Sequence, residues 1–105
     1  MIHILRWGQS LAIQGFGDAW SEAIFNSRPL GKGFPSDLIR RVKRKLEMLD
    51  AAVELKDLLA PPANRLEALT GDRAGQHSIR VNDQFRLCFV WTAKGPAEVE
   101  FVDYH

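Results

Sequence analysis

At Pro61-Pro62 the spacing of apolar residues changes from a helical period to a strand period. Upstream, Leu38, Ile39, Val42, Leu46 and Leu49 recur every three or four residues, which places them on one stripe of a helix. The spacing predicts the longest helix over Asp37–Ala52, with Ser36 as its N-cap. Val53–Leu59 adds a further helical turn before the two prolines stop it. A shorter helix is expected from Ala19 to about Ser27, capped by Asp18, with Trp20, Ala23 and Ile24 as its stripe. Arg28–Pro35, punctuated by two prolines and two glycines, is the loop between the helices.

Downstream the period is two. Asn64–Thr70 reads as a strand, and Gly71–Gly75 as a turn. Gln76–Val81 alternates His77, Ile79 and Val81 against Gln76, Ser78 and Arg80. Asn82-Asp83 turns the chain into Gln84–Thr92, where Phe85, Leu87, Phe89 and Trp91 share a face. Ala93–Pro96 is a hairpin loop and Ala97–Val102 the last strand. Helices first and a meander after them is an α+β plan, with two helices on one face of a small, mainly antiparallel sheet. At 105 residues the chain has the length of a single domain, residues 1–105.

That plan puts Arg86 on the sheet face opposite the helices, held mid-strand, which suits a binding or catalytic role. The plainer alternative is a cross-strand ion pair with Glu98 or Glu100. The formal net charge of +1 gives no argument for nucleic acid, but its distribution is uneven. Between Arg28 and Lys45 seven cations stand against Asp37 alone, and between Glu47 and Asp57 four carboxylates stand against Lys56 alone. Such a run is either a positive face or simply a solvated helix surface.

The lone Cys88, between Leu87 and Phe89, reads as a small hydrophobe in a reducing compartment rather than a nucleophile. His3, His77, His105 and Cys88 match no zinc spacing, so no metal and no cofactor are expected. Apolar runs in residues 1–16 are broken by Arg6, Gly8, Gln9 and Gln14, too short for a signal core or membrane span. A soluble, cytoplasmic protein is the expectation, with no membrane partner.

The run Asn64–Phe89, with its Leu69-Thr70-Gly71-Asp72-Arg73-Ala74-Gly75 turn and following strand, and the terminal Asp103-Tyr104-His105, resembles the HigB branch of RelE-type toxins. The resemblance is close over Leu46–His105 and looser over Phe16–Lys45. It is absent for residues 1–15, an atypical N-terminal extension. It implies a RelE-like fold and a metal-independent endoribonuclease of a type II toxin–antitoxin module that cuts mRNA on the ribosome. In that chemistry a base activates a ribose 2′-hydroxyl for attack on phosphorus, cations stabilise the transition state, and an acid protonates the leaving oxygen.

Carried over position by position, the resemblance implies that Arg86 stabilises the phosphate and His105 carries the proton. It assigns Tyr104 to stacking on a base or bonding the phosphate, Asp103 to orienting its neighbours, and Arg73, His77 and Arg80 to the RNA backbone. Relatives often have a histidine where Glu67 stands and a lysine where Thr70 stands. Glu67 is therefore a candidate acid or base only if burial tunes it, and the acid and base assignments stay open.

Implied partners are a helix-turn-helix, HigA-type antitoxin encoded after the toxin, the ribosome and mRNA, with operator DNA reached only through the antitoxin. The near-neutral charge favours substrate positioning by the ribosome over free RNA binding. The rival function on the same scaffold is ParE-like inhibition of DNA gyrase without catalysis.

Overall fold

The computed structural model describes residues 4–6 and 9–104. A short antiparallel pair, β1 (Ile4–Arg6) and β2 (Gln9–Ser10), precedes two helices, α1 (Ala19–Phe25) and α2 (Ile39–Ala51). The main sheet holds β3 (Glu67–Ala68), β4 (His77–Arg80), β5 (Phe85–Thr92) and β6 (Gly95–Asp103), antiparallel and in that order. The α+β plan of helices on one face of an antiparallel sheet is what the chain adopts. Among the described residues no helix is long and apolar enough to cross a membrane.

The core forms where the two periods meet. Val42, Leu46 and Leu49 of α2 and Ile24 of α1 pack against Ile79, Leu87, Phe89 and Val99 of the sheet. All but Ile24 are fully buried. Each such side chain contributes roughly 1.5–3 kcal/mol by leaving water. Phe85 and Trp91 pack against the same cluster, so the expected apolar face of β5 is the helix-covered one.

Asp18 caps α1 as the sequence predicts: one carboxylate oxygen accepts the N–H of Ser21 at 3.1 Å. Its other oxygen accepts the N–H of Phe101 at 3.0 Å, so the cap also fastens α1 to β6. Ser36 does not cap α2. After the extended Pro35 the chain tightens into a 3-10 turn, Ser36–Leu38, and α2 begins only after it.

The expected strand over Asn64–Thr70 shrinks to the two residues of β3. Pro62–Asn64 form a 3-10 turn and Arg65 has a left-handed backbone, φ 45°, which breaks the extended chain. The reason is Asn64, fully buried and bonded on three sides. It accepts from the Lys45 ammonium of α2 and donates to the carbonyls of Leu58 and Ala60, at 3.2 Å each. Its amide holds the segment after α2 against that helix.

The last hairpin is tighter than expected. Ala93-Lys94 make the turn, and Gly95 and Pro96 already pair with Thr92 and Trp91. Further along, Phe89 is opposed by both Glu98 and Val99, a bulge with Glu98 left-handed at φ 52°. The extra residue resets the alternation, so Ala97 and Glu100 share a face with Val90 and Cys88.

Residues 12–17 run parallel to β6 along its outer edge. Gln14 donates to the Pro96 carbonyl at 2.7 Å, and Gly17 to that of Val99 at 2.7 Å. Val99 donates to Gly15 at 3.0 Å. Residues 12–17 thus close a sheet edge that would otherwise offer unpaired backbone groups.

Candidate active site

The face of the sheet away from the helices carries the side chains at even positions of β5. Arg86 stands there, as its alternation requires, but it is 8% exposed rather than open. Its Nε donates to the Ser78 hydroxyl at 2.7 Å. Its Nη2 donates to the Arg65 carbonyl at 2.5 Å, and the Glu67 carboxylate lies 3.5 Å from the same nitrogen. The left-handed kink at Arg65 is what turns that carbonyl toward the guanidinium. Its Nη1 has no hydrogen-bond acceptor among the described residues.

The expected pairing of Arg86 with Glu98 or Glu100 does not form. Register explains this: Arg86 faces Val102, Cys88 faces Glu100, and Glu98 sits in the bulge. Glu100 is taken by Arg73, at 3.1 Å, with the same guanidinium bonded to Gln76 at 3.0 Å. Hydrogen bonding to Glu100 raises the Arg73 pKa further still. Arg73 is on the sheet face of Arg86, but it is already occupied.

Tyr104 follows Val102 on that face, and its ring covers Arg86 with 5.7 Å between guanidinium carbon and ring centroid. The backbone N–H of Tyr104 is tied to Gln84 at 2.7 Å, while the side chain stays 43% exposed. Arg86 and Tyr104 belong to a polar cleft of about 280 Å³, lined further by Arg65, Glu67, Arg80, Asn82 and Asp83. Three guanidiniums therefore meet two carboxylates. Arg80 contacts Asp83, whose side chain is fully exposed, and the Glu67 side chain is 54% exposed. The Arg80–Asp83 pair, open to solvent at Asp83, is worth ~0–1 kcal/mol, little resistance to an incoming phosphate.

Not every candidate converges. His77 pairs with Phe89 across the β4–β5 ladder and stacks on it with centroids 6.3 Å apart, on the helix side of the sheet. Its Nδ1 is buried without a hydrogen-bond partner among the described residues. Asp103 is paired in register with Phe85 and accepts from the Gln84 side-chain amide at 3.1 Å. Its backbone is continuous with that of Tyr104, but its side chain is not among those lining the cleft. Glu67 lacks the burial on which an acid or base role was premised. His105 lies outside the described residues.

Three contributors were not singled out from sequence. Ser78 is fully buried and orients the Arg86 fork; its place across from Cys88 is legible only once the β4–β5 register is known. Arg65 supplies a carbonyl and a lining side chain from within what reads as a strand. Asn82 accepts from the N–H groups of Gln84 and Phe85 at 2.9 and 2.7 Å, which shapes the turn at the cleft rim. Cys88, beneath this face, is fully buried, and that burial pushes its thiol up.

The family model for the RelE-like toxin of the type II toxin–antitoxin system HigB matches residues 14–105. The chain belongs to the HigB-like toxin family. This toxin is 42% identical to Toxin HigB-1 of Vibrio cholerae over 90 residues, 86% of its own length and 94% of the relative's. An uncharacterized protein of Haemophilus influenzae is 46% identical over 55 residues, about half of each chain. In fold the toxin is similar to a chain of the YoeB-YefM complex from Staphylococcus aureus. The TM-score is 0.51 at 16% identity, over 90% of the toxin and 97% of that chain.

Proposed function

We propose that this toxin is an endoribonuclease that cuts mRNA on the ribosome by attack of a ribose 2′-hydroxyl on the adjacent phosphorus. The observation that carries the reading is Arg86: a buried guanidinium, fixed by Ser78 and the Arg65 carbonyl, with Nη1 facing no protein acceptor among the described residues. A cation held this way loses little freedom when it meets a phosphorane, so its field acts mainly where transition-state charge develops. Arginines supply that field, and the reaction needs no metal.

Tyr104, exposed over Arg86, is the stacking platform for a base beside the scissile bond. His105, one residue further, is the proton carrier, because imidazole titrates near neutral pH. Asp103 acts through backbone position, orienting the two residues after it. Arg80 and Arg65 give the rim positive charge for the flanking phosphates, and Arg73 contributes once RNA competes with Glu100. His77, on the helix side, is the weakest of these assignments, and Glu67 is better read as a counter-ion to Arg86 than as a base. Inside the cell the toxin is held by a helix-turn-helix antitoxin, through which operator DNA is reached.

Induction of the toxin, with the 5′ ends of translated transcripts mapped, tests this reading. New ends are expected within reading frames for wild type, and none for Arg86→Ala or His105→Ala. Arg86→Lys keeps a charge without the two-pronged fork, and is expected to retain the fold with cleavage reduced by about 10²–10³. Intact transcripts together with stalled replication would instead establish gyrase inhibition.

A further inference from the structure

Between α1 and α2, on a different part of the surface from the polar cleft, runs a groove of about 470 Å³. Ile24, Leu30, Phe34 and Ile39 supply its apolar lining, and Arg28 and Lys43 are basic residues on its wall. Ile39 is one of four large apolar side chains left exposed among the described residues, and Tyr104 in the cleft is another. A first-turn isoleucine of α2 facing solvent has no role in the core just described.

The charge around the groove meets no carboxylate among the described residues: Arg28, Arg40 and Lys43 form no ion pair there. The Lys43 ammonium bonds the hydroxyl of Ser27, which also lines the groove. The groove continues past Ile39 into a second hollow walled by Arg40 and Lys43, with Asp37 as its acidic member. The charged run of α2 is thus not evenly solvated: part of it edges an apolar trough.

We propose that this trough is where the antitoxin grips the toxin, through an amphipathic segment whose apolar side chains enter between Leu30 and Ile39 while its carboxylates meet Arg28, Arg40 and Lys43. The proposal rests on the antitoxin partnership stated above, not on the chemistry of the cleft. Charge complementarity selects an acidic partner, and the lining selects a peptide over RNA. Single-stranded RNA is bound on open aromatic platforms. Here the lining is largely aliphatic, and Phe34, its aromatic member, is held edge-on to Trp20 at 5.2 Å and against Phe101 at 4.9 Å. An apolar floor with a charged rim is the usual seat of an amphipathic segment. Because the trough and the cleft share no lining residue, this grip leaves the cleft to be blocked by bulk or by exclusion from the ribosome.

The test uses the whole toxin and the helix-turn-helix protein encoded immediately after it, with binding followed by calorimetry and mRNA cleavage followed separately. Ile39→Asp and the double variant Arg28→Glu with Lys43→Glu lie outside the cleft and are expected to fold and cleave as wild type does. Each is expected to bind the antitoxin at least about tenfold more weakly, and to escape neutralisation when the two are co-expressed. If both variants bind as wild type does, the trough is not the antitoxin seat. If they bind the antitoxin normally but lose ribosome association, the trough serves RNA and the proposal is wrong. If wild type itself does not bind that protein, the partnership fails, whatever the outcome for cleavage.

Discussion

The guanidinium carbon of Arg86 lies 5.7 Å from the centre of the Tyr104 ring, so the last described residue of the chain roofs the cation that Ser78 and the Arg65 carbonyl hold. The ring shields one side of the guanidinium, and what remains accessible faces the polar cleft.

In the proposed mechanism Tyr104 stacks on a base of the substrate. Stacking of a base on an aromatic ring is worth about 1–3 kcal/mol. Tyr104→Ala is expected to reduce cleavage of ribosome-bound mRNA by roughly tenfold to a hundredfold. Tyr104→Phe, which keeps the ring, is expected to stay within about threefold of wild type. The ring is 43% exposed, so neither change is expected to move the melting temperature. Equal loss in both variants would assign the effect to the hydroxyl.

In the proposed mechanism Ser78 is a positioning residue. Its hydroxyl accepts from Arg86 Nε in a fully buried spot, and Ser78→Ala leaves that N–H unsatisfied at a cost of about 1–3 kcal/mol. Cleavage at saturating ribosomes is expected to fall while the KM for ribosome complexes changes little. Ser78→Thr is expected to recover most of the rate, a rescue that a purely structural role would not produce.

Asn64 is expected to be a stability hot spot. Truncation to Ala removes the acceptor of a buried ammonium and the donor to two carbonyls. Burial, aided by the nearby Arg44, Arg41 and Arg80 charges, already depresses the Lys45 pKa. A loss of about 2–4 kcal/mol is expected in urea unfolding. A change under about 0.5 kcal/mol would show that the Lys45–Asn64 bond adds nothing.

Gly95 permits the N-terminal segment to dock. A Cβ at this position would lie 2.3 Å from the Ala12 carbonyl oxygen, on a backbone with φ of +118°. Gly95→Ala is expected to cost about 1–3 kcal/mol, a drop in melting temperature of roughly 4–8 °C for each kcal/mol. It is also expected to expose residues 12–17 to limited proteolysis. Unchanged proteolysis would mean that the edge pairing survives by other contacts.

The Asp57 carboxyl is held below its ordinary value of 3.8, first by the N–H of Glu54 and then by that of Val53. Both N–H groups lie 3.0 Å from Oδ2. A depressed carboxyl contributes stability above its unfolded pKa and loses it as pH falls through the folded one. The advantage of wild type over Asp57→Asn in urea midpoint is therefore expected at neutral pH, shrinking below about pH 3.8. A difference that persists unchanged to about pH 2 would remove the carboxylate from the explanation.

Periodicity alone was enough for the two layers. The stripe of Val42, Leu46 and Leu49 and the alternation of Phe85, Leu87 and Phe89 each name their own buried face, because a helix repeats near 3.6 residues and a strand at 2. The Asp18 cap was legible for the same reason: a capping side chain acts within three residues of itself. The sheet face of Arg86 followed from its parity, and the HigB resemblance from residues still visible in order along the chain.

What only the tertiary structure decided is everything that depends on contacts distant in sequence. Asn64 broke its predicted strand because Lys45 and Leu58 were near in space. Arg86 found Ser78, Arg65 and Glu67 instead of Glu100 because register and the bulge at Glu98-Val99 were set by pairing between strands. Alternation had already grouped His77 with Ile79 and Val81, but its stacking on Phe89 came from the β4–β5 register. Local backbone preference is written within a few residues, whereas register, burial of polar groups and the seat of each charge are properties of the packed chain, and no short window of sequence contains them.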